Sequence, residues 1–489
     1  MTVPAIRITA LNDGALRPDG SFVLYWMTAN RRATHNFALD RAVELAASHN
    51  VPVVVLEALR AGYPWASDRL HAFVIQGMAD NARAFAGTPA HYYPYVEPSA
   101  DAGKGLVEAL AARAVAVVTD EFPCFFLPRM AASVAKRIAV RVEQVDSNGL
   151  LPLRATDKAH VTAYAFRRML QKAVLPHLEE IPRSAPFEGF APKRLASLPK
   201  EITARWPAAN LESLDRNGIT TLPIDHTVGA VGTAGGTTAA RAAWQRFLSQ
   251  NLLRYAADRS HPDDGVASGL SPWLHFGHIS THELFDSLAE WQDWSPEKIG
   301  VRAAGQREGF WNMGPDADSF LDELITWREL GYGTCLFEPR YAEYGSLPNW
   351  ARATLDKHRG DKREWDYSAA QLEHAETHDE VWNAAQRELA RDGRMQNYLR
   401  MLWGKKILEW SPSPEHALET MIHLNNKYAL DGRNPNSYSG ILWTLGRYDR
   451  PWAPERPVFG TIRWMSSANT VKKLRCKEYL HRFGPESAR

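Results

Sequence analysis

Over the first third of the chain, short runs of consecutive apolar residues alternate with stretches of helical periodicity. The runs are 21–26 (SFVLYW), 51–59 (VPVVVLEAL), 91–96 (HYYPYV), 115–120 (VAVVTD) and 138–145 (IAVRVEQV). Strands apolar on both faces are those of a parallel sheet covered on both sides. Helices are expected around 36–49, 67–87, 102–113 and 125–136, which predicts a doubly wound, Rossmann-like α/β domain. No GxGxxG follows the first run, so a dinucleotide site of the usual type is not indicated; a smaller ligand at the carboxyl ends of the strands stays open.

From about residue 184 the chain turns rich in Pro, Gly and short polar residues, ending in AVGTAGGTT, which reads as a connector. Beyond it strands nearly vanish. Segments 238–258, 280–292, 317–331, 380–391, 395–410 and 413–428 carry helical periodicity. The predicted organisation is an α/β domain over 18–183, a connector over 184–237 and an all-α domain over 238–486. No repeat of fixed period is visible.

Composition narrows the function classes. With 57 Lys plus Arg against 56 Asp plus Glu, the net charge is +1, so a nucleic acid or membrane partner would have to be held locally. Cys124, Cys335 and Cys476 are far apart and suit neither a disulfide framework nor a zinc site; a reducing cytosol is the expected compartment. The first residues lack a signal-like organisation and no apolar stretch is long enough to span a membrane. Of the 17 tryptophans, only Trp26 and Trp65 precede residue 200, so the two halves differ chemically.

Within 395–410 (MQNYLRMLWGKKILEW), Trp403 and Trp410 are seven residues apart and project from nearly one face; Trp382 lies on a separate helix. Core packing is the simpler explanation, and a relay of indoles stays open. Segment 268–280 (SGLSPWLHFGHIS) starts a helix with Pro272 in its first turn, where free N–H groups suit an anion or a diphosphate as well as an ordinary cap. Segment 430–443 (LDGRNPNSYSGILW) reads as a Gly/Asn/Pro-rich loop after a helix bearing Asn425 and Asn426, whose amides can serve a heteroaromatic ring. Arg400 is the natural ion partner of Asp431 if those segments pack together. The stretch 453–489 carries Arg456, Arg463, Lys472, Lys473, Arg475, Lys477, Arg482 and Arg489 against Glu455, Glu478 and Glu486, a basic excess that suits phosphate contact or a solvated helix face.

Six colinear segments carry a family resemblance: 25–42 (YWMTANRRATHNFALDRA), 271–280 (SPWLHFGHIS), 320–330 (FLDELITWREL), 377–386 (THDEVWNAAQ), 393–410 (GRMQNYLRMLWGKKILEW) and 430–443. Together they resemble class II cyclobutane pyrimidine dimer DNA photolyases, within the photolyase/cryptochrome family, from about residue 20 to residue 483. The resemblance implies an antenna-type α/β domain, with a second chromophore of open identity, and a helical domain holding FAD that is active in its reduced form. It implies that Tyr255, Ser268, Leu270, Ser271 and Leu274 line the adenine and diphosphate end. Arg400, Asn425, Asp431 and Arg433 would surround the isoalloxazine, with Asn425 at N5. Trp403, Trp382 and Trp410 would be the proximal, middle and distal members of a photoreduction chain, so Trp403→Phe is expected to slow photoreduction and leave folding nearly intact.

The resemblance also implies a pocket for a lesion flipped out of UV-damaged DNA, formed by Arg259, Glu323, Trp327, Met401, Trp443 and Arg463, with Arg450 beside them. Flipping costs a few kcal/mol, and stacking on aromatic faces contributes roughly 1–3 kcal/mol per base. Glu323 would donate a hydrogen bond to a pyrimidine carbonyl if burial holds it protonated; the alternative is a helix carboxylate paired with an Arg. The sequence departs from the family pattern at Gly446-Arg447-Tyr448-Asp449-Arg450, one residue shorter than usual, at Ser260, at Trp273 and at Gln396-Asn397. The expected reaction is light-driven splitting of the dimer with no metal and no membrane, by a monomer. Alternatives are a cryptochrome-like photoreceptor, and repair of the (6-4) photoproduct, which would want a His in the pocket.

Overall fold

A computed structural model describes residues 2–216 and 218–485. Arg489 and Glu486 of the basic stretch, and the last residue of the 238–486 segment, lie outside them. The chain forms two compact units: Met1–Thr156, Ala173–Trp244 and Leu270–Pro296 make the first, and Asp157–Lys172, Gln245–Gly269 and Glu297–Arg489 the second.

The first unit is built on a six-stranded sheet: β1 (Ile8–Ala10), β2 (Phe22–Met27), β3 (Val53–Leu59), β4 (His91–Val96), β5 (Ala114–Asp120) and β6 (Val142–Val145), in the order β1-β6-β5-β2-β3-β4. All pairings are parallel except β1 with β6. Every residue of β2 and β5 is buried, as expected of strands covered on both faces. The doubly wound α/β class read from the sequence is therefore correct, and the five apolar runs correspond to β2–β6. Helices Phe37–His49, Asp68–Ala86, Leu106–Ala111 and Leu127–Ala135 follow β2, β3, β4 and β5. Asn36 caps the first of them by accepting from the N–H groups of Ala38 and Leu39, and Asn50 ends it in the left-handed conformation.

Buried polar groups collect at the carboxyl ends of these strands. Asp120 Oδ2 accepts the N–H groups of Thr28, Ala29 and Asn30 at 2.7, 2.8 and 3.0 Å, and Oδ1 accepts Tyr25 Oη at 2.7 Å. Burial, reinforced by the Asp120 charge, pushes the Tyr25 phenol well above its ordinary range. The loop after β2 is thus wrapped round a carboxylate.

The second unit is helical. One core packs helices Glu380–Asp392, Asn397–Trp410, Pro414–Tyr428 and Pro435–Thr444 together, through residues such as Leu389, Leu402, Ile407, Met421, Leu424 and Leu442. At Gly404 a Cβ would come within 2.7 Å of Thr444 Cγ2 and 3.0 Å of Met421 Sδ, so only glycine admits this closeness. Two sequence expectations change. The 430–443 segment is a loop only at its start. Asn434 caps a helix by accepting from Asn436 N, Ser437 completes the capping box and Pro435 occupies the first turn. The 317–331 segment is interrupted: Pro315–Leu321 and Arg328–Phe337 are α-helical, and Asp322–Trp327 between them is a π-helix.

Candidate functional site

Three groups of the sequence-selected residues meet in the second unit. The first is the tryptophan set. Trp382 and Trp403 stack with centroids 6.5 Å apart and planes 3° from parallel, and Trp410 meets Trp382 edge-on at 5.5 Å. Each of the first two indoles is fixed as well as packed: Trp382 Nε1 donates to Trp403 O at 3.0 Å, and Trp403 Nε1 to Gln386 Oε1 at 2.9 Å. Trp410 is only 2% exposed, so the set of three does not itself reach solvent. Ring contacts continue from Trp410 to Tyr367 at 5.2 Å and His378 at 5.6 Å, and His378 stacks at 4.1 Å on Trp365, which is 44% exposed. Tyr367 Oη lies 2.5 Å from His378 Nδ1.

The second group lies where the 397–410 and 414–428 helices face the turn after Tyr428. Arg400 and Asp431 form the expected pair, with two N–H···O bonds of 3.2 Å. Asn425 is 2% exposed and its Nδ2 is buried without any partner; Arg400 Nε is likewise buried and unpartnered. Buried amide donors are rarely left unpaired, so this group is shaped for a ligand that accepts hydrogen bonds. Arg433 also has a structural part in this group. With φ of 61°, it directs its guanidinium onto the carbonyls of Asn426, Ala429 and Leu430, which caps the 414–428 helix and holds the turn.

The third group is more exposed. Arg259 Nη1 meets Glu323 Oε1 at 2.5 Å, both side chains 31% exposed, and the Arg259 guanidinium lies 5.4 Å from the Tyr255 ring. Burial and the Glu323 charge push the Tyr255 phenol upward. Glu323 and Trp327, four residues apart on the π-helix, share a face; the half-buried Trp327 meets Tyr448 edge-on at 6.4 Å. Tyr448 Oη donates to Thr334 Oγ1 at 2.7 Å and lies 3.3 Å from Ser439 Oγ, one helical turn before Trp443. Arg463 sits over both Trp443, at 5.9 Å, and Trp452, at 4.7 Å; Arg450 also lies over Trp452, at 4.8 Å. Behind Trp443, the fully buried Lys405 donates to Thr444 O at 2.6 Å with its ammonium 4.9 Å from the indole centroid. Burial, aided by Arg463 and opposed by Asp449, brings the Lys405 amine down to about 7. Met401 is half-buried on the 397–410 helix, against the core.

Comparison with known proteins decides the family. No protein-family model matches the chain. A deoxyribodipyrimidine photo-lyase of Methanothermobacter thermautotrophicus is 32% identical over 481 residues, covering 98% of each chain. Those of Arabidopsis thaliana and Potorous tridactylus are 32% and 29% identical, each match covering 97% of this chain and 92% and 83% of theirs. This chain belongs to the DNA photolyase family. As a photolyase it is a lyase of light-driven DNA repair, in a family that binds FAD. The fold agrees: a bacterial class III photolyase from Agrobacterium tumefaciens superposes with a TM-score of 0.66 at 18% identity, covering 97% of this chain and 88% of that one.

The remaining sequence-selected residues of this photolyase divide between the two units. Tyr255 is buried between Phe247 and Phe320, and Ser268 is half-buried in the second unit. Leu270, Ser271 and Leu274 belong to the first unit, the first as the residue before the short helix Ser271–His275 and the other two within it. Residues that the sequence did not single out are Lys405, Trp452, Tyr367 and His378, and Tyr448 was noted only within the shortened 446–450 segment. Gln396, noted only as a departure, caps the 397–410 helix by accepting Leu399 N and donates to Arg259 O, both at 3.0 Å. Of the basic stretch, Arg475 is bound to Asp258 and Asp264, while Lys472 is exposed and Lys473 lies over Tyr398. Among the described residues no helix is long and apolar enough to cross a membrane, and no cluster of three or more potential metal ligands occurs.

Proposed function

We propose that this photolyase is of class II and splits cyclobutane pyrimidine dimers. The observation that carries this reading is the Arg259–Glu323 pair on the same π-helical face as Trp327: a hydrogen-bonding edge beside an open aromatic ring. A flipped dimer presents carbonyl and N–H edges and two ring faces, and needs both kinds of partner. No His belongs to the third group, which favours the cyclobutane dimer over the (6-4) photoproduct.

The chemistry supplied by bound, reduced FAD is electron donation to the lesion in light, with the electron returned once the ring has opened. Asn425, whose buried amide N–H has no partner, would hold the isoalloxazine ring, to which an amide can present either its N–H or its C=O. Asp431 orients Arg400, and Arg433 holds the turn that carries Asp431. Tyr255 and Ser268 serve the adenine and diphosphate end. Trp403, Trp382 and Trp410 return electrons to the buried site, and Tyr367, His378 and Trp365 extend the ring contacts to solvent. On the DNA side, Trp327 and Trp443 stack against the flipped bases, and Met401 contributes apolar contact. Arg259 and Glu323 hydrogen-bond the pyrimidine edges, while Arg450 and Arg463 face the phosphates. A second chromophore would lie at the carboxyl ends of the first unit's strands.

The test is illumination of the purified, reduced protein with an oligonucleotide carrying one defined lesion. Light-dependent loss of the cyclobutane dimer is expected, with a (6-4) photoproduct untouched. Normal flavin photoreduction with no loss of the dimer would make the protein a photoreceptor instead.

A further inference from the structure

Helix Ala163–Ala173 lies in none of the segments that carry the family resemblance, yet its buried side, Ala163, Phe166, Arg167, Leu170 and Gln171, is anchored close to the π-helix. Arg167 Nε and Nη2 donate to Asp322 Oδ1 and Oδ2 at 2.7 and 2.9 Å, and Nη1 reaches Gly305 O at 3.4 Å. Gln171 accepts Gly305 N at 2.7 Å and donates to Gln306 O at 2.8 Å. Both ends of the ion pair are nearly dry, with side-chain exposures of 6% for Arg167 and 11% for Asp322.

Asp322 is the first residue of the π-helical stretch. Asp322 and Thr326 turn toward the cavity that Arg167 lines, whereas Glu323 and Trp327 turn the neighbouring face to Arg259 and Tyr448. A π-helical insertion shifts the register of the downstream helix by one residue, about 100° around the axis. The direction in which Trp327 points thus depends on the π turn, and the turn begins on a carboxylate clamped at both oxygens. A planar guanidinium fixes such a carboxylate in one orientation, as a point charge does not.

We propose that Arg167 is a positioning residue for lesion recognition: its bidentate clamp on Asp322 sets the π turn that aims Glu323 and Trp327 at the flipped dimer. This rests on the lesion-binding role proposed above for those two residues.

Two variants test it in the flavin-loaded protein. Arg167→Lys keeps the charge and loses the fork. The double variant Arg167→Met/Asp322→Leu replaces the pair by apolar groups of similar size, which buried ion pairs commonly tolerate. Repair per absorbed photon, affinity for dimer-containing and undamaged oligonucleotides, flavin photoreduction and thermal melting are measured together. In the double variant, repair yield and dimer affinity should fall about tenfold or more, while photoreduction and affinity for undamaged DNA stay within about twofold, because neither uses the π-helix. Arg167→Lys should lie between. A folded double variant that repairs and binds the dimer like the wild type overturns the proposal alone. A wild type that repairs no dimer overturns the functional reading beneath it and the proposal with it.

Discussion

Replacing Trp403 by Phe separates electron supply from packing, and the structure sets both terms. Trp403 Nε1 donates to Gln386 Oε1 at 2.9 Å, and Gln386 is fully buried. Phe leaves that oxygen without its donor, at a cost of about 1–3 kcal/mol. The smaller ring adds about 1–2 kcal/mol, a fraction of the cost of truncating a buried aromatic to Ala. The variant should therefore lose about 2–5 kcal/mol of stability, against the sequence expectation that folding is nearly intact. Adding Gln386→Leu removes the orphaned acceptor. The double variant should be about 1–3 kcal/mol more stable than the two single effects predict together, even though Gln386 Nε2 also donates to Glu373 O at 3.2 Å. Urea unfolding of the four proteins, followed by circular dichroism, gives the cycle, and flavin photoreduction under blue light is recorded on the same samples. Photoreduction should be slow in both Phe-containing proteins, whatever their stability. Additive stabilities would refute the hydrogen-bond account, and photoreduction restored by Gln386→Leu would refute the relay.

Titration, flavin loading and repair yield give three more expected outcomes. Lys405 titrates near 7 when folded and near its ordinary 10.5 when unfolded, so between these values the unfolded chain binds the extra proton and wild-type stability rises with pH. From pH 7 to 9 the gain is up to about 3 kcal/mol, Lys405→Met should lack it, and parallel urea midpoints across that range in the two proteins would count against a depressed amine. Asn425→Leu removes an unpaired buried amide, so the flavin-free protein should gain about 1–3 kcal/mol while the purified protein carries less FAD by absorbance; unchanged FAD content would remove Asn425 from the site. Glu323→Gln should cut repair per photon about tenfold or more and change stability by less than about 1 kcal/mol, because the Arg259 pair is one-third exposed; a wild-type repair yield would return Glu323 to a surface ion pair.

The α/β half was legible because its central strands are short runs dominated by apolar residues on both faces, fully buried in β2 and β5, a pattern that leaves few alternatives. β1 escaped because it is three residues long and only partly buried. The helix at 435–444 was misread for a physical reason. Gly432, Asn434 and Pro435 are turn formers, yet Asn434 and Pro435 are also the cap and first-turn residues of a helix start. Helical spacing put Trp403 and Trp410 on one face, whereas only the family resemblance joined Trp382 to them. Tyr448, Lys405 and Arg167 could not be found that way, since each acts on a residue far along the chain: Trp327, Trp443 and Asp322. The π register was hidden too, because the apolar residues on both sides of 322–327 fit a continuous helix when read by periodicity alone.

Burial along the aromatic series has a consequence for charge. Trp382, Trp403 and Trp410 are 0%, 2% and 2% exposed, and Trp365 is 44% exposed. A cation is costly in a dry interior and cheap beside water, so in the proposed photoreduction role a positive hole formed on Trp403 would meet a solvation gradient that runs outward. At that outer end Tyr367 Oη and His378 Nδ1 share a hydrogen bond. If these indoles carry electrons as proposed, the protein matrix would work as a rectifier, passing holes to the surface more readily than it lets them return.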